Sequence, residues 1–329
     1  MPQKRARRRE HVLPRAVTRG FRDNLTIDCV CEECNRYFGQ ELDRVLVEQT
    51  LAAPLRYRKG LKRDTRRAPA LSPARLSLSW KDVIFELRPK RDGTDFEAYL
   101  PLQIGFTCRG VAYPRYFRLS DLDQAFSDPM VDVRGEVYVV GEGEESLKEA
   151  RSTLARHGIE PRTWSPHPAL LPSSAPGLPP ERIGFELRTV IDRTIARCMA
   201  KVAFNYLAWV VLDRLGEPSW LMRDDFDQVR GFVRAAHGAA QPRMAVGDDP
   251  VVRGRFGTAR QEEHGGHAVM VTWQRGDIVA RVSLFYAFSW GIELARSFSG
   301  ILWDLNSAHV WDIETRQVEQ IRPRSVTQS

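Results

Sequence analysis

The alternation of apolar and polar positions predicts a strand, a loop, a second strand and a helix within the first fifty residues. Residues 10–16 have the pattern of a short strand that turns at Pro14, and residues 25–31 alternate as a second strand. A polar loop that runs through Asn24 joins them. Residues 33–48 repeat apolar side chains at three- and four-residue steps, which is the spacing of one helix face: Phe38, Leu42, Val45 and Leu46.

The remainder of the chain has the pattern of a larger α+β region. A β-rich stretch and a helix come first, with strands expected at 76–88, 97–107 and 134–140 and the helix at 144–157. Residues 161–180 contain seven prolines and no regular periodicity, which indicates a linker. The strongest helix pattern follows at 186–214, and a hairpin around Gly276 is expected between residues 267 and 286.

These patterns predict an α+β protein made of several segments. An N-terminal module with two strands and a helix comes first, and a larger α+β region interrupted by the proline-rich linker follows it. The expected divisions are the module at 1–65, a β-rich α+β domain at 66–160, the linker at 161–181, a helical and β-hairpin domain at 182–322, and a loose tail at 323–329.

Composition narrows the class of protein. Of 329 residues, 43% are hydrophobic and 9% aromatic, which is typical of a globular chain rather than a disordered one. No uninterrupted apolar run is long enough to cross a bilayer, and no apolar segment of a signal peptide follows the basic N-terminus. Five unevenly spread cysteines do not indicate a disulfide framework. We therefore expect a cytoplasmic protein without a membrane partner.

The excess positive charge lies in the N-terminal fifth of the chain. Residues 1–67 hold 17 Lys or Arg and 9 Asp or Glu, a net of +8, whereas the remainder has a net of −1. Such a segment attracts phosphates, so nucleic acid is the expected partner. For the basic residues before Glu10, a solvated disordered tail is the alternative. The candidate nucleic-acid contacts are Arg7, Arg8, Arg9, Arg15, Arg56, Arg58, Lys59, Lys62 and Arg63.

Four residues of the N-terminal module have the chemistry of a phosphodiester hydrolase. Such an enzyme needs a base that activates water and a cation that neutralises charge on the scissile phosphate. His11 is a suitable base near neutral pH. Glu10 and Asn35 offer the oxygen ligands that suit Mg²⁺ or Mn²⁺, and a hairpin packed on a helix can bring both to one point. Asn24, at the end of the loop, is placed to brace the loop and orient the imidazole.

This constellation resembles the HNH endonuclease family. Its members carry an acidic residue before a histidine on the first strand, a central asparagine, and a final His or Asn after a Cys-x-x-Cys. The matching positions, over about residues 10–50, are Glu10-His11-Val12-Leu13-Pro14, Asn24 and Cys31-Glu32-Glu33-Cys34-Asn35. Phe38, Gly39 and Asp43 resemble the subgroup that ends in Cys-Asn. The resemblance implies a ββα-metal fold in which His11 is the base, Glu10 and Asn35 hold the metal, and Asn24 orients the loop.

The cysteines depart from the family pattern. Many relatives have a second Cys-x-x-Cys upstream, and the four thiolates bind a structural zinc. Only nine residues precede Glu10 here, and none is a cysteine. Either Cys29 joins Cys31 and Cys34 at a zinc ion, or zinc is absent, or the chain starts further upstream. Another interpretation is that Cys31 and Cys34 are small buried residues at the joint between strand and helix.

The sequence as a whole favours a metal-dependent endonuclease that hydrolyses DNA, with RNA not excluded as a substrate. A non-catalytic, basic nucleic-acid-binding protein with a degenerate HNH module is the rival hypothesis. A third is a nuclease effector that a partner activates, and the family resemblance suggests a role in bacterial defence. Residues 66–329 have room for target recognition, oligomerisation or contact with a regulatory protein.

Overall fold

The computed structural model describes most of the chain. The described residues are 9–22, 24–61, 76–80, 83–89, 96–111, 114–141, 143–166, 186–189, 191–247, 265–274, 276–298 and 305–321. They form two compact units, of which unit 1 comprises Met1–Pro69 and Ile191–Ser329 and unit 2 comprises Ala70–Val190. Both contain helices and sheets, so the predicted α+β class is confirmed.

The N-terminal part of unit 1 has the predicted order of strand, loop, strand and helix. Strand β1 (Glu10–His11) pairs antiparallel with β2 (Thr26–Ile27), and Glu10 lies opposite Ile27. Both strands are shorter than expected, with two residues each. The helical segments that follow are α1 (Glu32–Tyr37), a π-helical segment (Phe38–Asp43), α2 (Arg44–Glu48) and α3 (Ala52–Arg58).

Unit 2 contains two four-stranded sheets. Their strands are β3 (Leu76–Trp80), β4 (Val83–Pro89), β5 (Phe96–Tyr99), β6 (Gln103–Cys108), β7 (Arg115–Arg118), β8 (Val131–Val140), β9 (Thr163–Pro166) and β10 (Glu186–Thr189). The strand orders are β10-β3-β4-β5 and β7-β6-β8-β9. The helices are α4 (Leu122–Ser127) and α5 (Gly143–Arg156). The strands and the helix that the sequence predicted between residues 76 and 157 are therefore present.

The predicted linker at 161–181 is corrected at its start. Residues Thr163–Pro166 form β9, which pairs in parallel with β8 at the edge of its sheet. A proline is compatible with an edge strand, since no neighbour on the outer side needs its missing amide hydrogen. The rest of the predicted linker, from residue 167, lies outside the described residues.

Helix α6 (Arg193–Leu215) is the central helix of unit 1. The Asp192 side chain caps its start by accepting from the Ile195 amide at 2.9 Å, and Gly216 ends it with a φ of 71°. By length and composition α6 is apolar enough to cross a membrane, yet 78% of its apolar window is buried inside the protein. That burial is typical of the core helix of a soluble protein. The predicted helix at 186–214 thus begins seven residues later, because Glu186–Thr189 form β10.

A short helix and a sheet complete unit 1. Helix α7 (Asp227–Val233) follows α6, and the strands are β11 (Met244–Gly247), β12 (Gly266–Gln274), β13 (Asp277–Leu284), β14 (Phe288–Ala295), β15 (Ser307–Asp312) and β16 (Gln317–Ile321). The sheet is antiparallel in the order β11-β14-β13-β12-β15-β16, and α6 packs on β12, β13 and β14. The predicted hairpin joins β12 to β13 at Gly276, whose φ is 87°.

The observed division differs from the sequence-based one, which separated residues 1–65 from residues 182–322. Buried side chains of the N-terminal hairpin and helices belong to the same hydrophobic core as α6 and the C-terminal sheet, among them Val12, Leu13, Ile27, Leu42 and Leu46. A hairpin with two-residue strands cannot bury a core alone. It is stabilised by packing on a helix almost two hundred residues away in sequence, and this contact leaves no local pattern.

Candidate active site

The carboxylate of Glu10 lies in a buried cluster of charged and polar side chains. Glu10 is only 5% exposed, and the ammonium of Lys201, on α6, forms an ion pair with its Oε1. Asn205 Nδ2 donates to the same oxygen at 3.2 Å. The Lys201 ammonium also donates to both carboxylate oxygens of Asp43, at 3.1 Å each. We call Glu10, Asp43, Lys201 and Asn205 the Lys201 cluster.

The cluster also holds the backbone of His11. Asn205 Nδ2 donates to the His11 carbonyl oxygen at 3.2 Å, and Lys201 Nζ lies 3.5 Å from it. The two residues of α6 therefore contact both the side chain of one β1 residue and the backbone of the next. Lys201 and Asn205 are one helical turn apart, so they project from the same face. The hairpin position of Glu10 and His11 depends on this helix.

Lys201 and Asn205 are site residues that the sequence analysis did not identify. Both are withdrawn from solvent, since Lys201 is fully buried and Asn205 is 3% exposed. A signal was present in the sequence. The two polar residues stand one turn apart in the middle of an otherwise apolar helix, and a lysine in such surroundings requires a carboxylate partner.

Burial and charge act in opposite directions on the ionisable groups of the cluster. Burial by itself lowers the pKa of Lys201, but the carboxylates of Asp43 and Glu10 outweigh it and leave the pKa raised. The ammonium is therefore charged at neutral pH. Burial raises the pKa of the Glu10 carboxyl, and the contacts with Lys201 and Asn205 oppose that rise.

The pKa of the His11 imidazole is lowered, and one of its ring nitrogens has no hydrogen-bond partner among the described residues. Burial, the Arg15 guanidinium and Lys201 lower the pKa of His11, while Asp43 opposes them. Its Nδ1 is buried and has no hydrogen-bond partner among the described residues. A buried ring nitrogen without a partner is uncommon in folded proteins, which makes His11 a candidate for function. A neutral ring with an available nitrogen is also the form in which histidine acts as a base.

Asn24 lies near the end of the loop between β1 and β2. Its Nδ2 lies 3.4 Å from the carbonyl oxygen of Thr18, a long hydrogen bond, and its Oδ1 is buried without a partner among the described residues. The loop closes at its base with a hydrogen bond from the Val12 amide to the Leu25 carbonyl at 3.0 Å. The amide of Asn24 therefore braces the loop from inside, whereas its effect on the orientation of His11 stays a prediction.

A second histidine fixes the same loop from the C-terminal sheet. His267, on β12, is fully buried, and its Nδ1 accepts from the Phe285 amide at 3.2 Å. The other nitrogen, Nε2, therefore carries the hydrogen and donates to the Val17 carbonyl at 3.1 Å. Burial lowers the pKa of His267 to about 4. Both nitrogens are used, so His267 has a structural role.

The Glu10 carboxylate contacts Lys201 and Asn205 on α6, and its predicted partner at the metal, Asn35, lies on α1. Asn35 is half-buried on α1, and its backbone amide donates to the Cys31 carbonyl at 2.9 Å. A single ion shared by Glu10 and Asn35 thus stays a prediction. Among the described residues, no group of three or more His, Cys, Asp or Glu side chains is arranged to hold a metal ion. A magnesium site of the predicted type has only two protein ligands and does not depend on such a group.

The three nearby cysteines are half-buried free thiols. Cys31 caps α1, and its Sγ accepts from the Cys34 amide at 3.4 Å. The predicted structural zinc at Cys31, Cys34 and Cys29 stays a prediction.

Cys31 and Cys34 line a cleft of about 1070 Å³. Its other lining residues include Phe38, Phe204, Lys201, Asn205 and Arg234. The cleft therefore reaches the Lys201 cluster.

The predicted nucleic-acid contacts divide by exposure. Arg9, Arg15 and Arg58 are exposed, and Lys59 is half-exposed. Arg56 is only 6% exposed, which corrects its assignment as a phosphate contact. It lies on the face of α3 that packs inward with Ala52, Ala53 and Tyr57, and burial lowers the pKa of its guanidinium. Four predicted contacts lie outside the described residues: Arg7, Arg8, Lys62 and Arg63.

Comparisons of the chain with protein-family models, with curated proteins and with solved structures each found no match. The site combines a His11 nitrogen without a hydrogen-bond partner among the described residues, the buried carboxylate of Glu10, and two residues of α6 that contact Glu10 and the His11 backbone.

Proposed function

We propose that this chain is a metal-dependent endonuclease of the HNH type, which hydrolyses phosphodiester bonds in DNA with His11 as the general base. The single observation that carries the proposal is the state of His11. Its ring is neutral because its pKa is lowered, and its buried Nδ1 has no partner among the described residues. In the proposed reaction this nitrogen accepts the proton of the attacking water.

Glu10 and Asn35 would hold the ion, and the donor chemistry fits Mg²⁺ or Mn²⁺. A carboxylate and an amide supply the hard oxygen ligands that these ions prefer. Lys201 and Asn205 both contact Oε1 of Glu10, and in this proposal Oε2 is the oxygen that would bind the ion. Mg²⁺ commonly binds through one or two carboxylates together with waters and substrate phosphates. The ion would supply neutralising charge at the scissile phosphate.

The chain's other residues hold this arrangement in place. Lys201 and Asn205 bind the His11 carbonyl oxygen and the Glu10 carboxylate, so β1 cannot shift without breaking contacts with α6. Asn24 braces the loop that precedes β2. Exposed Arg15, close enough to lower the pKa of His11, supplies positive charge where a phosphate would approach.

The partners and the location are proposed from the charge and the composition of the sequence. The excess of positive charge in residues 1–67 favours DNA, and RNA is a second substrate to be tested in the same assay. A cytoplasmic location and a role in bacterial defence rest on the family resemblance and the cysteine content. Oligomerisation, or activation by a regulatory protein, is a role proposed for the remainder of the chain.

The test is cleavage of supercoiled plasmid DNA by the purified full chain with Mg²⁺, Mn²⁺ or EDTA. We expect nicked and linear products with either metal and none with EDTA. A single-stranded RNA of matched length in parallel reactions measures substrate preference. Glu10→Gln, which keeps the shape of the side chain but removes its charge, is expected to lose metal-stimulated cleavage. It serves with wild type as a check against contaminating nucleases, because both are purified identically.

A second candidate is a nucleic-acid-binding protein without catalysis, and one observation favours it. The Lys201 ammonium forms an ion pair with the Glu10 carboxylate. It therefore already supplies positive charge at the place where the proposed metal ion would bind. In that case plasmid DNA would be retarded in a gel by the chain, in a salt-dependent manner, but would stay uncut with every metal. The plasmid assay with a parallel binding assay therefore separates the two candidates.

A further inference from the structure

The Lys201 ammonium contacts two carboxylates, and only one of them belongs to the proposed metal site. It forms an ion pair with Glu10 Oε1, and it donates to both carboxylate oxygens of Asp43 at 3.1 Å each. Two carboxylates and one ammonium leave the Lys201 cluster with one negative charge in excess. The proposed reaction uses Glu10. Asp43 is therefore a charged member of the cluster that has no role in that reaction so far.

A π-helical segment brings Asp43 to the ammonium. Asp43 is the last residue of the segment Phe38–Asp43, which continues α1 into α2. A π-helical turn holds one more residue than an α-helical turn, so the side chains after it are rotated by about 100° around the axis. The carbonyl oxygen of buried Leu42 accepts from Cys198 Sγ at 3.1 Å. Cys198 and Lys201 are three residues apart on α6, so one face of this helix holds the end of the π-helical segment.

We propose that Asp43 is a positioning residue that sets the affinity of the proposed metal site, because it holds the Lys201 ammonium when a divalent ion binds Glu10. The inference rests on the proposed function, since it concerns the ion that Glu10 would bind there. An ammonium in contact with Glu10 repels a divalent cation at the same carboxylate, and this repulsion opposes metal binding. The Asp43 carboxylate contacts the same ammonium and offsets the repulsion. The ion and the ammonium can then both lie beside Glu10.

The ammonium does not depend on Glu10 alone for its partners. Besides the two oxygens of Asp43, the Lys201 Nζ lies 3.5 Å from the His11 carbonyl oxygen and 5.8 Å from the centre of the Phe38 ring. Lys201 is fully buried, so solvent cannot replace a lost carboxylate. When the charge of Glu10 is shared with an ion, Asp43 is the carboxylate that still neutralises the ammonium. Its removal leaves the ammonium and the ion to compete for Glu10.

Two simpler roles for Asp43 predict different results. If Asp43 only added negative charge near the ion, its removal would weaken metal binding equally with and without the ammonium. If Asp43 only held the fold, its removal would lower the melting temperature but not the metal affinity of the folded chain. The proposed role predicts that the effect of Asp43 on metal affinity depends on the presence of Lys201. Such a dependence is what a double-mutant cycle measures.

The experiment titrates the full chain with Mn²⁺ in the absence of DNA and follows free Mn²⁺ by electron paramagnetic resonance. Glu10→Gln measures the Mn²⁺ that binds elsewhere, and this amount is subtracted. Asp43→Asn is expected to weaken the remaining binding roughly 10–100-fold, the usual range for a residue that supports a metal ligand. Asp43→Glu is expected to bind within a few-fold of wild type. Glu41→Gln is the matched control with wild-type affinity, since it removes an exposed carboxylate of the same π-helical segment.

The double substitution tests the dependence on the ammonium. Lys201→Gln removes the ammonium and is expected to bind Mn²⁺ at least as tightly as wild type. Adding Asp43→Asn to Lys201→Gln is expected to change the affinity by no more than a few-fold, because no ammonium remains to be neutralised. Melting temperatures of all variants are recorded, so that affinities are compared between folded proteins only.

An unchanged Mn²⁺ affinity in folded Asp43→Asn would overturn the proposal, and so would an equal loss on the wild-type and Lys201→Gln backgrounds. If Lys201→Gln does not fold, Asp43→Glu decides, because a loss equal to that of Asp43→Asn in this folded variant refutes the role of the carboxylate. Wild type that binds no Mn²⁺ also refutes it. None of these measurements requires nuclease activity. The proposed function fails separately, if plasmid DNA stays uncut by a chain that binds Mn²⁺.

Discussion

The two compact units differ in the polar groups that they bury. Among the described residues, the buried polar side chains of unit 2 are both uncharged, Gln103 and Thr153. Unit 1 buries charged groups, Glu10, Lys201 and Arg56, together with two histidines. Removing charge from water costs free energy that a hydrophobic replacement would avoid. The proposed chemistry therefore belongs to unit 1, whose buried charges surround Glu10 and the backbone of His11.

Both units contain buried side-chain atoms without a hydrogen-bond partner among the described residues, in unit 2 the Nε of Arg118, and they differ in the groups that surround these atoms. Gln103 exchanges two hydrogen bonds with the backbone of Ile84, at 2.9 and 2.7 Å, and donates to the Pro101 carbonyl at 3.2 Å. The Gln103 side chain therefore has a structural role, because its amide oxygen and nitrogen are both hydrogen-bonded to the backbone. In unit 1, the Lys201 cluster is paired, yet His11 Nδ1 and Asn24 Oδ1 remain without partners among the described residues. Unsatisfied atoms beside a paired cluster are what a ligand site requires.

The largest effect on stability is expected from Lys201→Met. The substitution leaves the carboxylates of Glu10 and Asp43 near each other without their shared cation, which costs about 3–5 kcal/mol. Urea denaturation of the full chain measures the loss. The matched control is Lys148→Met, which breaks an exposed ion pair with Glu145 in unit 2 and is expected to cost under about 1 kcal/mol. Equal costs for the two variants would remove the contrast between the units.

Acid is expected to weaken unit 1 through its buried histidines. The folded pKa of His267 is about 4, below the usual 6.5, so the unfolded chain takes up a proton that the folded chain refuses. The stability is complete above pH 6.5 and falls as the pH drops towards 4, by up to about 3 kcal/mol for this group. His309, with a pKa also lowered to about 4 by burial, adds to the loss.

The control for this pH dependence is His267→Gln, which keeps a hydrogen-bond donor but does not titrate. Melting temperatures of wild type and variant are compared at intervals from pH 7 to pH 4. The variant starts less stable, because the links to Val17 and Phe285 are altered, but its stability must fall less steeply with acid. Parallel curves would show that His267 does not carry this sensitivity.

A smaller and pH-independent effect is expected from Gln103→Leu in unit 2. The substitution leaves the Ile84 amide and carbonyl without their partner, which costs about 1–3 kcal/mol. Chemical denaturation between pH 7 and pH 5 is expected to give the same cost throughout. DNA cleavage per folded molecule should be unchanged, since unit 2 contributes no group to the proposed site. Loss of cleavage in a folded Gln103→Leu protein would show that unit 2 does contribute to cleavage.

The smallest effect concerns DNA affinity. Arg15→Gln removes an exposed charge beside His11 and is expected to flatten the dependence of log affinity on log salt by roughly 0.9, the value for one phosphate contact on duplex DNA. Arg56→Gln, at a buried position, is expected to lower the melting temperature without changing that slope. Fluorescence anisotropy at several salt concentrations gives both slopes. An unchanged slope in a folded Arg15→Gln protein would place the DNA elsewhere.

Local order was predictable from the sequence because it depends on neighbours. The alternation at 25–31, the helical steps at 33–48 and the turn at Gly276 each indicate an element that is present in the structure. The bounds were less predictable. The apolar pattern at 186–214 is continuous and predicts one helix. Its first residues form β10 instead, because they pair with β3, which is remote in sequence.

The assembly of the site was not predictable, because its contacts are remote in sequence. Asn205 is 195 residues from Glu10, and no spacing rule joins a strand to a helix at that distance. Arg56 shows the same limit, since a basic run indicates charge but not which member faces inward. The sequence identifies Glu10 and His11 as candidates. Only the structure adds Lys201 and Asn205, which hold them.

The central claim is that His11 activates water for phosphodiester hydrolysis, and its most direct test is one comparison. Single-turnover cleavage of the same plasmid in Mg²⁺ is measured for wild type and His11→Ala, with DNA affinity and melting temperature recorded for both. We predict a rate about 10²–10⁴-fold lower for His11→Ala, with affinity and melting nearly unchanged, because the variant loses the base and little else. Cleavage by His11→Ala within a few-fold of wild type would contradict the account.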